Sequence, residues 1–208
     1  MAPPRWYIVR HGETVFNAAG RMQGDSPHTP LTRAGFAQAD EMGETLRHRL
    51  GPRPALTLWS SPAGRALQTL AVIAEHLELD WHSARVDARL AEIDVGRWSG
   101  RYYRAVEVEA GRIIDPRTAL FTVTPPGGEW YDAVAARLDA WIAETAGETG
   151  DRLIVMHGMS SRVLRGLLTG AEAGECGVPV APSLPQGSVV EIADEVETVL
   201  SLGDGAFD

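Results

Sequence analysis

The chain contains no lysine, a single cysteine and no hydrophobic run long enough to cross a membrane. All 19 basic residues are arginine, so a phosphate group must be bound by arginine, histidine or backbone N–H groups. The lone Cys176 excludes an internal disulfide and a cysteine-rich metal cluster. A transmembrane helix needs about 20 apolar residues, and the first residues lack the apolar core of a signal peptide. We therefore expect a soluble, cytoplasmic protein with no membrane partner.

Positive charge is also scarce. The chain of 208 residues has 28 acidic residues and a net charge of −9. An acidic chain without a basic run is a poor nucleic-acid binder, so we expect no nucleic-acid partner. Its length suits one domain, and its hydrophobic content of 44% is enough for a substantial core. We interpret residues 1–208 as a single domain with an insertion-like lid segment at about 97–128.

Strand-like and helix-like segments alternate along the chain. Strands are predicted at 6–9, 56–59, 83–86, 153–156, 189–192 and 198–202. Helical periodicity covers 32–50, 62–79, 98–111, 129–146 and a segment that ends at Gly170. This alternation predicts an α/β protein, a three-layer α/β/α sandwich with a mostly parallel mixed sheet.

Three of the predicted strands end in residues that can bind an anion. Arg10-His11-Gly12 follows the first strand, and His157-Gly158 follows a later one. Ser60-Ser61-Pro62 follows the second strand, with Ser61 predicted to cap the next helix and Arg65 one turn further on. Ligands bind outside the carboxyl ends of strands in open α/β sheets. If these strands are parallel neighbours, two imidazoles and two guanidiniums converge beside helix N-termini and form an anion site.

Two imidazoles at one anion site suit phosphoryl transfer. One neutral imidazole can attack phosphorus while the other donates to a phosphoryl oxygen. The N–P bond is labile, so water can hydrolyse it, and a carboxylic acid can protonate the leaving alkoxide. A zinc site would use the same residue types, with a carboxylate beside His11 and His157. However, Arg10 and Arg65 would repel a cation.

Six sequence blocks then occur in a fixed order between residues 10 and 158. They are Arg10–Thr14 with Asn17; Gln23-Gly24 with Pro30–Thr32 and Gly35; Ser60–Pro62 with Arg65-Ala66 and Gln68-Thr69; Leu90–Glu92 with Gly96, Trp98 and Gly100; Pro126–Glu129; and Val155–Gly158. In content and order these blocks resemble those of the histidine phosphatase superfamily, also called the phosphoglycerate mutase-like proteins. One departure is Trp130, which stands where the family often has a serine after Pro-Gly-Gly-Glu.

The resemblance implies catalytic roles for five residues. His11 would be the nucleophile that becomes phosphorylated. The phosphoryl group would be cradled by Arg10, Arg65 and His157. Glu92 would protonate the leaving group and then act as the base for water. Asp94 is a competing acid, but Glu92 alone matches the family position.

The resemblance also implies a binding pocket around that centre. Asn17 would contact the phosphate, and Gln23, Gly24 and Gly158 would line the same pocket. No metal and no other cofactor is implied, because arginine and histidine supply the positive charge.

The lid segment carries two further candidate features. Its arginines either form surface charge or recognise a second anionic group on the substrate; they are Arg97, Arg101, Arg104, Arg112 and Arg117. The aromatic residues of the region either pack in the core or wall the mouth of the pocket; they are Trp98, Tyr102, Tyr103, Phe121 and Trp130.

These features predict a metal-independent phosphatase that hydrolyses small phosphomonoesters through a phosphohistidine on His11. One alternative is a cofactor-dependent phosphoglycerate mutase, although mutases of the family are typically longer and carry a lysine after the acid block. Another alternative is a silent module that binds phosphorylated ligands without turnover. The predicted partner is a small phosphorylated metabolite. The identity of that metabolite stays open, as does the oligomeric state, a homodimer included.

Overall fold

The computed structural model describes residues 3–205, in which one sheet is covered by helices on both faces. The strands are β1 (Trp6–Arg10), β2 (Leu56–Ser60), β3 (Arg85–Val86), β4 (Asp151–Met156), β5 (Val189–Ala193) and β6 (Val196–Ser201). The helices are α1 (Val15–Ala18), α2 (Arg33–Leu50), α3 (Gly64–Leu77), α4 (Tyr103–Ala110), α5 (Tyr131–Thr145) and α6 (Gly158–Leu168).

The six strands lie in the order β3-β2-β4-β1-β5-β6. The first four of these are parallel to one another, while β5 runs antiparallel to β1 and β6 runs antiparallel to β5. The prediction of an α/β sandwich with a mostly parallel mixed sheet is therefore confirmed. Because β4 lies between β1 and β2, the carboxyl ends of these three strands meet at one edge of the sheet.

Alternation along each strand divides the core between the two faces. In β1, Tyr7 and Val9 pack with residues of α2 and α3, while Ile8 packs with residues of α5 and α6. In β4, Leu153 packs on the same face as Tyr7 and Val9, and Ile154 packs on the same face as Ile8. Successive side chains of a strand point to opposite faces, so strands that are apolar throughout need cover on both sides.

The start of α3 differs from the prediction. The helix begins at Gly64 with Ala63 as its N-cap, and no side chain caps it. Ser61 lies in the turn before the helix, and its hydroxyl is 2.6 Å from Nε2 of His157. The hydroxyl also accepts the N–H of Ala63 at 3.3 Å. The predicted cap was wrong because the helix starts three residues after Ser61, so the serine closes the turn before the helix and does not cap it.

The lid segment also differs from the prediction. The helix predicted over 98–111 starts only at Tyr103, and Gly100, at φ 75°, separates it from a single 3-10 turn at Gly96–Trp98. No strand was predicted between 111 and 128, but Ile114 pairs with Phe121 in an antiparallel bridge.

Two glycines bring the loop after β1 against the start of α2. A Cβ on Gly12 would lie 2.1 Å from the carbonyl oxygen of Gly35, and a Cβ on Gly35 would lie 2.0 Å from that of Glu13. In the structure, the close approach is between two backbone segments, and it fixes the chain immediately after His11.

We expect Gly35→Ala to lower the free energy of unfolding by about 1–3 kcal/mol, because the new methyl group overlaps backbone that cannot move aside. Alanine in an unobstructed helix interior would instead stabilise by up to about 1 kcal/mol. Urea unfolding measures the difference. Gly147→Ala is the matched control, since its Cβ would meet nothing within 4 Å. Equal stability of the two variants would contradict the assigned contact.

Candidate active site

A cavity of about 320 Å³ opens beside the carboxyl ends of the central strands. Seven of the nine predicted site residues line it: Arg10, His11, Asn17, Gln23, Gly24, Arg65 and Glu92. The other two lie directly behind this surface. His157 is fully buried against His11, and Gly158 is the first residue of α6 and borders a small cleft on the other side of Arg10.

His11 is a buried imidazole with one available lone pair. Its Nδ1 lies 2.8 Å from the carbonyl oxygen of Gly12, which can only accept, so the ring proton is on Nδ1. Its Nε2 accepts from Nε of Arg65 at 3.1 Å. Burial, with the charges of Arg65 and Arg10 adding to it, holds the pKa of His11 well below its usual value. The imidazole is therefore neutral near pH 7, with the Nε2 lone pair on the side of Arg65.

His157 faces His11 across the site. The ring centroids are 5.1 Å apart and the planes are inclined at 66°. Nε2 lies 2.6 Å from the hydroxyl of Ser61, whereas Nδ1 has no hydrogen-bond partner within residues 3–205. Burial and the nearby Arg65 also hold the pKa of His157 well below its usual value. A buried polar atom without a partner is costly, so Nδ1 favours a bound polar ligand.

Arg65 is fully buried and binds the loop that follows α1. Nη1 donates to the carbonyl oxygen of Ser26 at 2.5 Å and to the hydroxyl of Thr29 at 3.0 Å. Nη2 donates to the carbonyl oxygen of Gly24 at 2.7 Å. Burial lowers the pKa of Arg65 to about 10, which leaves the guanidinium charged at neutral pH. The N–H groups of Arg65 are thus largely occupied by neutral acceptors, and within residues 3–205 none of its hydrogen bonds is made to a carboxylate.

Glu92 lies at the N-terminus of α6. Its Oε1 accepts the backbone N–H groups of Ile93 and Ser160, both at 2.9 Å, and its Oε2 accepts that of Met159 at 3.1 Å. These donors fix the carboxyl group in the wall of the cavity. Asp94, the competing acid, instead accepts from the N–H of Gly96 at 2.7 Å and is not among the residues that line the cavity.

Amide side chains complete the polar end of the cavity. Oδ1 of Asn17 accepts from Nε2 of Gln23 at 3.1 Å and from the N–H of Thr14 at 3.0 Å. Nε2 of Gln186 donates to the carbonyl oxygen of His11 at 3.0 Å. With Oδ1 occupied in this way, the NH₂ group of Asn17 is the part of its side chain suited to an anion.

Gly24 must be glycine where it stands. Its φ is +52°, and a Cβ would lie 2.7 Å from Cγ2 of Val95. The carbonyl oxygen of the same residue accepts from Arg65. The glycine therefore lets the loop that Arg65 binds pack closely against the segment that carries Glu92.

The lid segment contributes aromatic and aliphatic side chains to the wall of the cavity, but none of its arginines. Phe121 and Tyr103, two of the predicted aromatic residues, line the cavity, whereas Trp98 is packed in the core. Trp130 and Tyr102 are not among the lining residues. The same holds for all five lid arginines, namely Arg97, Arg101, Arg104, Arg112 and Arg117.

Several residues of the site escaped the sequence analysis. Ser61 was assigned to a helix cap, and Gln186 and Thr29 were placed in loops without a role. Arg21, which lines the mouth of the cavity, was not singled out. For Ser61, the family block that contains it was a signal in the sequence. Gln186, Thr29 and Arg21 had no such signal, because they reach the site through contacts with distant parts of the chain.

The described part of the chain offers no group of three or more His, Cys, Asp or Glu residues placed to hold a metal ion. Among residues 3–205, no helix combines the length and apolar character needed to span a bilayer.

Comparison with known proteins agrees with the geometry. The chain matches the histidine phosphatase superfamily (branch 1) over residues 6–204. A Klebsiella pneumoniae protein named "Probable phosphoglycerate mutase GpmB" is 34% identical over 91% of this chain and 92% of its own length. The 6-phosphofructo-2-kinase/fructose-2,6-bisphosphatase of Caenorhabditis elegans is 33% identical over 76% of this chain, which spans only 32% of that longer protein.

A solved structure shares the fold. Mycobacterial glucosyl-3-phosphoglycerate phosphatase in complex with VO3 has a TM-score of 0.76 and 26% identity, over 98% of this chain and 100% of that chain. The chain belongs to the histidine phosphatase superfamily.

The buried histidines predict a specific dependence of stability on pH. The folded protein resists protonation of His11 and His157, whereas the unfolded chain takes up protons below about pH 6.5. Below pH 6.5 the free energy of unfolding should therefore decrease as the pH is lowered, by up to about 1.4 kcal/mol per pH unit for each histidine. Urea unfolding between pH 5 and pH 8 measures the slope.

His11→Gln should make this slope shallower by the contribution of one histidine, because only His157 would then resist protonation in the folded protein. His28→Gln, which changes an exposed loop histidine, is the control and should keep the wild-type slope. Parallel curves for wild type and His11→Gln would show that the folded protein does not disfavour the imidazolium at this position.

Proposed function

We propose that the protein is a metal-independent phosphatase that hydrolyses small phosphomonoesters through a phosphohistidine on His11. The observation that carries this proposal is the state of His11, a buried neutral imidazole whose proton is held on Nδ1 by a carbonyl oxygen. The remaining nitrogen, Nε2, bears a lone pair beside a guanidinium at the polar end of the cavity. Nucleophile and charge are thus held together before a substrate arrives.

In the first step, Nε2 of His11 attacks phosphorus. The N–P bond forms as the bond from phosphorus to the ester oxygen breaks, and the alkoxide leaves. For this attack Nε of Arg65 must release Nε2, and its N–H then donates to a phosphoryl oxygen instead. The positive charge that develops on the imidazole ring is stabilised by the carbonyl oxygen of Gly12 and by the phosphoryl anion.

The phosphoryl oxygens are stabilised by donors from several elements. Arg10 supplies a second guanidinium from the end of β1, and Asn17 supplies an amide NH₂ group. When Ser61 donates its hydroxyl proton to Nε2 of His157, the neutral ring carries its own proton on Nδ1. That N–H is then a further donor for a phosphoryl oxygen.

Glu92 serves as the acid and then as the base. Three backbone N–H groups favour its carboxylate in the free protein, but a phosphate dianion bound close by favours the protonated form. The carboxyl gives its proton to the leaving alkoxide. The carboxylate then takes a proton from water, whose oxygen attacks phosphorus and breaks the N–P bond, which releases phosphate and regenerates His11.

Phosphoglycerate mutase activity is the second candidate, favoured by the name of the Klebsiella relative. A mutase must keep water from the phosphohistidine until the group is transferred back, whereas a phosphatase must admit water. Phosphoglycerate also carries a carboxylate that needs a cation. Apart from Arg10 and Arg65, which lie at the polar end, Arg21 is the one arginine among residues 3–205 that lines this cavity, so it is the candidate to bind that carboxylate.

With p-nitrophenyl phosphate and a chelator present, wild-type protein should release phosphate, and His11→Ala should lower kcat/KM by about 10³-fold or more. The control His28→Ala should keep the wild-type value. Thermal unfolding of both variants verifies that they are folded. Exchange between 3- and 2-phosphoglycerate without phosphate release would favour the mutase. Phosphate binding with neither activity would favour a silent binding module.

Glu92→Gln should slow alkyl phosphates by about 10²-fold or more, because their alkoxides need a proton as they leave. p-Nitrophenyl phosphate has a good leaving group, so its first step should be slowed far less. Single-turnover formation of the phosphoenzyme with both esters measures this step. Equal slowing of the two esters would argue against the acid role of Glu92.

A further inference from the structure

The cavity is polar at one end and apolar at the other. The residues discussed above surround the phosphate position. Beyond them most of the wall is formed by five aliphatic, aromatic or thioether side chains: Ile93, Val95, Ile114, Phe121 and Met159. Tyr103 and Arg21 also line this part of the cavity. These side chains surround the volume that the organic part of a phosphate ester must occupy.

The lid supplies two of these side chains through a short hairpin. Ile114 and Phe121 pair across an antiparallel bridge. Two backbone hydrogen bonds flank the pair, from Asp115 N–H to the carbonyl oxygen of Leu120 at 2.8 Å and from Thr122 N–H to that of Ile113 at 2.9 Å. Directly opposed residues of an antiparallel pair project to the same face. The hairpin therefore presents one apolar surface to the cavity.

A buried tyrosine fixes this surface to the helix behind it. The hydroxyl of Tyr131 accepts the N–H of Phe121 at 2.9 Å and donates to Sδ of Met159 at 3.6 Å. Tyr131 is fully buried, and Phe121 and Met159 are themselves mostly buried. The apolar wall is thus a built part of the fold and is held in place by hydrogen bonds.

Two arginines of the lid form ion pairs with carboxylates that do not line the cavity. Arg101 pairs with Glu109, and Arg117 pairs with both Asp115 and Glu175. A hydroxyl or carboxylate group of a substrate that lies against Ile93, Val95, Ile114, Phe121 and Met159 would lose its bound water. These five side chains offer no hydrogen-bond donor or oxygen acceptor to replace it. Burying a polar group without a hydrogen bond is costly.

Arg21 lies at the mouth of the cavity, where aromatic rings cover it. Its guanidinium carbon is 4.6 Å from the ring centroid of Tyr102 and 5.8 Å from that of Phe16, and Nη2 donates to the Tyr102 hydroxyl at 3.3 Å. A guanidinium stacked in this way extends a flat surface that suits an aromatic group.

We propose that the substrates are phosphate esters of apolar alcohols, aryl or arylalkyl, and that sugar, polyol and carboxylic-acid phosphates are poor substrates. This inference rests on the proposed phosphatase function. The wall formed by Ile114 and Phe121 determines the preference.

The test compares 2-phenylethyl phosphate with glucose 6-phosphate and 3-phosphoglycerate. All three are esters of primary alcohols, so their leaving groups have similar reactivity and the comparison reports recognition of the organic part. We expect kcat/KM for 2-phenylethyl phosphate to exceed that for each polar ester by about tenfold to a hundredfold. A higher kcat/KM for either polar ester would overturn the inference.

Variants of the wall should remove the preference. Phe121→Ala should lower kcat/KM for 2-phenylethyl phosphate by about tenfold while changing that for glucose 6-phosphate much less. Ile114→Ser tests the same wall at a less buried position, in case Phe121→Ala is too unstable to assay. The matched control is Val108→Ala, because Val108 is 87% exposed on α4. An unchanged preference in folded Ile114→Ser would contradict the assigned wall.

The outcome separates the two proposals. If p-nitrophenyl phosphate and the three esters all release no phosphate, the phosphatase function itself fails. If p-nitrophenyl phosphate releases phosphate but 2-phenylethyl phosphate does not, only the assignment of substrate class fails. If phosphate is released with no preference, or with preference for a polar ester, the phosphatase function stands and only the assignment of substrate class fails.

Discussion

The buried guanidinium of Arg65 is the constraint on which the site depends. Its hydrogen bonds reach Nε2 of His11 and three acceptors in the loop from Gly24 to Thr29. One side chain thereby joins α3, the loop after α1 and the end of β1. A buried charge is costly unless it is well solvated by its surroundings, so the loop must fold around it.

The same guanidinium determines the electrostatics of the centre. Its acceptors are carbonyl, hydroxyl and imidazole groups, which satisfy its N–H groups without cancelling its charge. Burial, with the charge of Arg65 adding to it, holds the two adjacent imidazoles neutral. Under the proposed function, the burial of Arg65 beside His11 would contribute both to binding of the phosphate and to keeping the nucleophile neutral.

Sequence reasoning reached the sheet, its mostly parallel order and the meeting of its strand ends. Those features follow from apolar runs and strand-end motifs, which are local. It failed at Ser61, whose hydroxyl lies beside His157, 96 residues further on. It also gave no role to Gln186, which reaches the backbone of His11 from 175 residues away. Side chains that serve a distant partner leave no local pattern. The hairpin around Ile114 and Phe121 is local, but it was missed because a single bridge pairs too few residues to produce an alternating apolar pattern.

The two ends of the cavity are encoded largely by separate stretches of the chain. Most of the phosphate end comes from residues 10–24 and Arg65, whereas the apolar wall comes mainly from residues 93–121. Under the proposed function, exchanges in the hairpin would alter the accepted alcohol while the residues around His11 stay unchanged. Such a division allows a lineage to acquire new substrates by varying a short surface segment, without having to rebuild its chemistry.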